Sequence, residues 1–147
     1  SLKFFRTVLN VKNNLILNLK LSYALNRSVN TAETDFSLTD KKGQLPYIPL
    51  HSINIMPGIS WKNWVISYQW NYYSERYTTS INSPEILYSI YPYFMNDIHI
   101  SKKLLFKKFN ITISGGIYNI FDESYRSLLW QPMPGINYRL GLKVKLK

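Results

Sequence analysis

Trp64-Val65-Ile66-Ser67-Tyr68-Gln69-Trp70-Asn71-Tyr72-Tyr73 decides the fold. Its even positions are Trp, Ile, Tyr, Trp and Tyr; its odd positions are Val, Ser, Gln, Asn and Tyr. A period of two is that of a β-strand with one apolar and one polar face, whereas a helix repeats every 3.6 residues. The same alternation lies on both sides of this stretch. Leu15, Leu17, Leu19, Leu21, Tyr23 and Leu25 oppose Ile16, Asn18, Lys20, Ser22 and Ala24. Near the end, Ile136, Tyr138, Leu140, Leu142, Val144 and Leu146 oppose Asn137, Arg139, Gly141, Lys143 and Lys145. Phe109–Asn119 follows with Phe109, Ile111, Ile113 and Ile117 on one face. Leu2–Val11, Leu50–Trp61 and Asn96–Lys103 alternate less regularly. The expectation is an all-β chain of seven antiparallel strands, about ten residues each, without a helix.

The connections alternate in length. Lys12–Asn14, Lys62–Asn63 and Leu104–Lys108 are short turns, while Arg27 to Pro49, Ser74 to Pro92 and Phe121 to Gly135 are long loops. Tight turns at one end and long loops at the other describe the wall of an up-and-down transmembrane β-barrel. Ten residues at about 3.3 Å each, tilted near 45°, span roughly the 25 Å apolar band of such a barrel. A β-sandwich core would also alternate, but with shorter strands and less asymmetric loops.

Charge follows the same asymmetry. The 147 residues carry 18 Lys+Arg and 8 Asp+Glu, a net charge of +10. Seven acids (Glu33, Asp35, Asp40, Glu75, Glu85, Asp122, Glu123) fall in the long loops, which hold five bases. Nine lysines, from Lys12 and Lys62 to Lys145 and Lys147, fall at the short-turn ends. This segregation differs from a basic nucleic-acid-binding face, so no nucleic-acid partner is expected. The pairs Lys102-Lys103 and Lys107-Lys108 bracket one turn and suit anchoring at a membrane rim. Among 23 aromatics (12 Tyr, 7 Phe, 4 Trp), Trp61, Trp64, Trp70, Tyr72 and Tyr138 fall on apolar faces near strand ends, where interfacial girdles form.

Several classes of chemistry are excluded or weak. With no Cys, there is no disulfide framework, thiol nucleophile or Cys-ligated metal, and two His do not make a multi-His centre. No metal and no cofactor are expected. Asp97, His99 and Ser101 share the polar face of one strand, but same-face neighbours stand roughly 7 Å apart, too far for a proton relay. The chain is therefore not read as an enzyme. Gly115-Gly116 lies inside a strand and marks close approach or a bend rather than a phosphate cradle. Ser1 to Val11 alternates and lacks the apolar core of a signal peptide. The longest stretch free of charged residues, Gly43 to Trp61, contains Pro46, Pro49 and Pro57, so no membrane helix is expected. The loops offer ligand contacts at Tyr73, Arg76, Tyr77, Arg126 and Trp130, aromatic and Arg side chains of the kind that dominate binding sites.

From about Leu45 onward the sequence resembles the C-terminal end of TonB-dependent outer-membrane receptors. Leu45-Pro46-Tyr47-Ile48-Pro49-Leu50-His51 resembles the segment that opens a late barrel strand. Asn119-Ile120-Phe121-Asp122-Glu123-Ser124-Tyr125 resembles the N-hydrophobic-F-D-x-x-Y signature of the last extracellular loop. Pro132-Met133-Pro134-Gly135-Ile136-Asn137-Tyr138 resembles the P-M-P-G-x-x-Y entry into the final strand. Ile136 stands where members often have Arg, and Leu146-Lys147 stands where barrels commonly end in an aromatic.

The resemblance implies that Asn119, Phe121, Asp122, Tyr125, Pro134, Gly135 and Tyr138 are the structural motif of the last loop and strand. It implies the bacterial outer membrane as location and a 22-stranded barrel. Residues 1–147 would be the last seven strands, a partial barrel domain without the plug. Seven strands are also too few and too odd to close. The implied function is part of an active transporter for a scarce nutrient: an iron chelate, haem, cobalamin or an oligosaccharide. Its partners would be outer-membrane lipid and lipopolysaccharide, the small nutrient ligand, and TonB through a missing N-terminal part. The rival expectations are a soluble all-β binding module and an outer-membrane barrel enzyme.

Overall fold

The structure is a computed structural model that describes residues 2–11, 14–29, 43–79, 88–131 and 133–147. Nine strands form among the described residues: β1 (Leu2–Val11), β2 (Leu15–Leu25), β3 (His51–Trp61), β4 (Trp64–Tyr73), β5 (Arg76–Tyr77), β6 (Ser89–Ile90), β7 (Tyr93–Leu105), β8 (Phe109–Tyr118) and β9 (Asn137–Leu146). Seven of them build one sheet in the order β1-β2-β3-β4-β7-β8-β9, every neighbour antiparallel, and β5 pairs with β6. The sheet is a meander, with the β5–β6 pair inserted between β4 and β7 and with β1 and β9 at its edges.

The registers align the alternating faces across the whole sheet. The row Leu9, Leu17, Ile59, Ile66, Ile100, Gly115, Leu140 runs through all seven strands by direct pairing. It lies two residues from the short-turn end of β1 and six from that of β9. That stagger is about 13 Å over about 29 Å of sheet width, a strand tilt of about 25°. One face is apolar from edge to edge, and it is open: Phe5, Leu9, Leu140, Leu142 and Leu146 are more than half exposed. The opposite face carries Asn18, Asn54, Asn71, Asp97, His99, Ser114 and Arg139.

Burial is concentrated at the long-loop end of the sheet. Ile90 and Tyr93 are the buried apolar residues among those described, beside buried Asn71, Arg76, Ser89, Asn96, Asp97 and Asn119. β7 extends three residues earlier and two later than the alternation indicated. Tyr93 pairs with Tyr73, and the Phe94 ring packs against Trp70 and Tyr72 at 5.6 and 5.2 Å. The two-residue hairpin β5–β6 inside the second long loop carries no readable period and is new from the structure.

The loop stems continue the sheet beyond the strands. Asn26 N–H donates to Leu50 O at 2.9 Å and Leu45 N–H to Ser28 O at 2.7 Å, while Val29 bridges Gln44. The Gln44 side chain bonds the Asn26 carbonyl and accepts from Ser28 N–H at 3.0 Å. Tyr47, at φ 62° after Pro46, donates from its backbone to Tyr77 O at 2.7 Å, tying the first loop to the second. His51 stacks on Tyr23, whose hydroxyl lies 2.8 Å from its Nδ1. At the opposite end, Lys62 takes φ 52° in the two-residue turn that sets Trp61 directly across from Trp64. Primed turns of this kind match the twist of a hairpin.

Candidate functional site

The third long loop is fixed by its own motif. Asn119 follows β8 at φ 52°, a left-handed conformation that Asn tolerates better than other side-chain-bearing residues. It is 1% exposed, the most buried side chain described. Its Nδ2 donates to Glu123 O at 2.9 Å and its Oδ1 accepts from Glu123 N–H at 2.8 Å, closing a ring across the turn. Its backbone N–H donates to Asp97 Oδ1 at 3.0 Å, pinning the turn to β7. Ile120 N–H adds a bond to Asn96 O at 2.9 Å.

Asp122, also at φ 52°, closes the far side of the loop. Its Oδ1 accepts from Ile136 N–H at 2.9 Å, where the chain enters β9. A Cβ on Gly135 would sit 2.5 Å from that oxygen, so glycine is required for the carboxylate to reach the amide. Gly135→Ala is therefore expected to displace Asp122 and cost about 1 kcal/mol, the net contribution of one hydrogen bond. Hydrogen exchange at Ile136 would speed up by roughly fivefold, and an unchanged rate would refute the role. Phe121 is 69% exposed, Pro134 is exposed, and Tyr138 stands on the apolar face at 69% exposure.

Tyr125 hangs from this lock into an aromatic cluster centred on Tyr93. Tyr93 meets Tyr125 at 4.9 Å and Tyr73 at 5.2 Å between centroids. The Arg76 guanidinium lies 5.0 Å over the Tyr93 ring and donates from Nη2 to Arg126 O at 3.0 Å. Arg76 is 6% exposed, and its Nε has no hydrogen-bond partner among the described residues. Burial, then Tyr93 and Asp97, push the Tyr125 phenol above its usual pKa, so it stays a neutral donor through the physiological range.

The five loop residues expected to contact ligand thus divide. Tyr73 and Arg76 join one cluster that bridges the second and third loops, and Arg126 enters it through its carbonyl. Arg76 is spent internally, leaving Tyr73, Tyr125 and the exposed Arg126 side chain as surfaces a ligand can meet. Tyr77 sits in β5, where its carbonyl holds Tyr47. Trp130, at φ 63° and 77% exposed, stands out from the third loop. The central residue, Tyr93, follows Tyr91-Pro92 and reads in the sequence as loop.

A second polar constellation lies lower on the same face. The His99 ring meets Tyr118 edge-on at 5.0 Å, and the Arg139 guanidinium stacks 5.4 Å from the other ring. A Cβ on Gly116 would come within 3.0 Å of His99 Nδ1, so this glycine makes room for the imidazole. The groove, of about 240 Å³, is lined by Ser67, His99, Ser101, Ser114, Tyr118 and Arg139 among others. Hydroxyls and one guanidinium suit a small anionic or polyhydroxylated group. Asp97 and His99 hold different partners, Asn119 and Tyr118, rather than each other.

Among the described residues, no group of three or more His, Cys, Asp or Glu is placed to hold a metal ion, and no helix is long and apolar enough to cross a membrane. No protein-family model matches the sequence, and no curated protein matches it.

Proposed function

We propose that the chain is a section of the wall of an outer-membrane β-barrel, and specifically the C-terminal part of a TonB-dependent receptor that takes up a scarce nutrient. The observation that carries this reading is the sheet itself: seven meandering strands with one continuous apolar face left open and a polar face opposite. An apolar surface of this extent needs a cover, and hydrocarbon is a cover that requires no partner protein. Trp64 and Tyr72 are eight residues apart on that face, about 26 Å along the strand, and about 24 Å in height at the sheet's tilt of about 25°. That spacing fits two aromatic girdles bounding an apolar band. Both sheet edges are ten-residue strands, which a barrel of more strands would pair.

The transporter reading rests on the resemblance of the last loop and strand, supported by the lock between Asn119, Glu123, Asp122 and Ile136. In this reading the long loops face outward, and Tyr73, Tyr125, Arg126 and Trp130 meet the nutrient at the mouth of the barrel. Plug and TonB-contacting segment belong to other parts of the protein. The test is growth of the source bacterium on limiting iron chelate, haem, cobalamin or oligosaccharide. Deleting the protein is expected to abolish growth on one of these, and deleting TonB to abolish the same growth. Growth lost without the protein but retained without TonB would overturn the assignment.

A further inference from the structure

The short-turn end of the sheet holds an unbalanced positive charge. Lys62, Lys102, Lys103, Lys107 and Lys108 gather where β3, β4, β7 and β8 turn, and no Asp or Glu lies in the short-turn half of any strand. Two of these lysines are drawn to the apolar face. Lys62 Nζ sits 4.7 Å from the centroid of Trp61, and Lys102 Nζ sits 4.6 Å from that of Trp64. Lys102 occupies a place in the apolar row of β7, between Ile100 and Leu104, and pairs with Trp64 and Ile113.

Beside the two indoles, a depression of about 410 Å³ is lined by Leu15, Ile59, Trp61, Trp64, Ile66 and Ile100. Its floor is apolar and its rim cationic. An ammonium resting on a ring face still has N–H donors directed away from the ring, and phosphate oxygens complement them. A long lysine on a lipid-facing row is stable only where its head reaches the interface.

We propose that this depression binds one anionic glycerophospholipid, its phosphate between Lys62 and Lys102 and an acyl chain along Ile59, Ile66 and Ile100. The inference rests on the membrane-wall reading given above. A protein partner could also cover an apolar hollow, but the acid-free cluster of lysines favours a phosphate-bearing amphiphile.

The test is tryptophan quenching in the full-length protein, reconstituted in phosphatidylcholine vesicles doped with either brominated phosphatidylglycerol or brominated phosphatidylcholine. The signal lost in Trp61→Phe/Trp64→Phe isolates the site. Brominated phosphatidylglycerol is expected to quench that signal with higher apparent affinity, by roughly fivefold for each rim lysine. Lys62→Gln and Lys102→Gln should each remove about one such factor, and Lys107→Gln, at the same end but outside the depression, far less. Equal quenching by the two head groups would overturn the lipid site while leaving the membrane wall intact. Absence of quenching by either would remove the wall reading as well.

Discussion

Asn119→Ala is expected to raise proteolytic cleavage of the 119–136 loop by about a hundredfold under conditions where local opening limits the rate. The substitution removes both side-chain bonds to the Glu123 backbone, each contributing about 1 kcal/mol. It also leaves alanine at φ 52°, which adds about 1 kcal/mol of strain. Together these come to about 3 kcal/mol of local stability. Asn119→Gly separates the causes: it relieves the backbone term but not the hydrogen bonds, so its effect should be roughly thirtyfold. Tyr125 rides on this loop and stacks on Tyr93, so under the proposed transporter reading ligand uptake should fall with the same ranking. Equal cleavage of Asn119→Ala and the unmodified protein would mean that the loop is held by something else.

Ile98→Arg addresses the sheet rather than the loop. Ile98 pairs with Tyr68 and Ile117, midway between the Trp64 and Tyr72 rows, and is 37% exposed. If that face lies in hydrocarbon, an Arg there costs about 2–4 kcal/mol, close to the full depth-dependent penalty at the bilayer centre. Ser67→Arg, on the polar face across from His99, should cost far less. Folding in lipid vesicles across a urea series would report both. A soluble module with the same sheet predicts another outcome: arginine for a partly exposed isoleucine would shift stability by no more than about 0.5 kcal/mol.

The fold was largely legible because side chains alternate along every strand of the main sheet, and alternation survives in a single sequence. Trp64–Tyr73 shows this most clearly, since its apolar positions all reach the same face as Ile53, Ile55 and Ile59 of β3. Legibility failed where alternation breaks. Asn96 occupies an apolar-face position, bonded by the Tyr68 hydroxyl and holding Ile120 through its carbonyl, so β7 read as shorter than it is. The β5–β6 pair is too short to have a period at all.

The site was legible in its residues but not in its contacts. Asn119 and Asp122 were marked by resemblance, yet the Asp97–Asn119 bond joins residues 22 apart, and no local pattern encodes it. Arg76 looked like a ligand contact because it is a loop arginine among tyrosines. Its burial over Tyr93 depends on Tyr73 and Tyr93 meeting across β4 and β7, a register that only the assembled sheet supplies.

The most direct test of the membrane wall is a nitroxide scan over Tyr138–Leu146, introducing one cysteine at a time into a sequence that has none. This strand is exposed at nearly every position, so burial inside the protein does not mask the readout. In lipid vesicles, Tyr138, Leu140, Leu142, Val144 and Leu146 should collide mainly with dissolved oxygen. Arg139, Gly141, Lys143 and Lys145 should collide mainly with a water-soluble nickel chelate. The two profiles should alternate out of phase with a period of two residues. Nickel accessibility that is equal on both faces would place neither in hydrocarbon and would contradict the membrane-wall account.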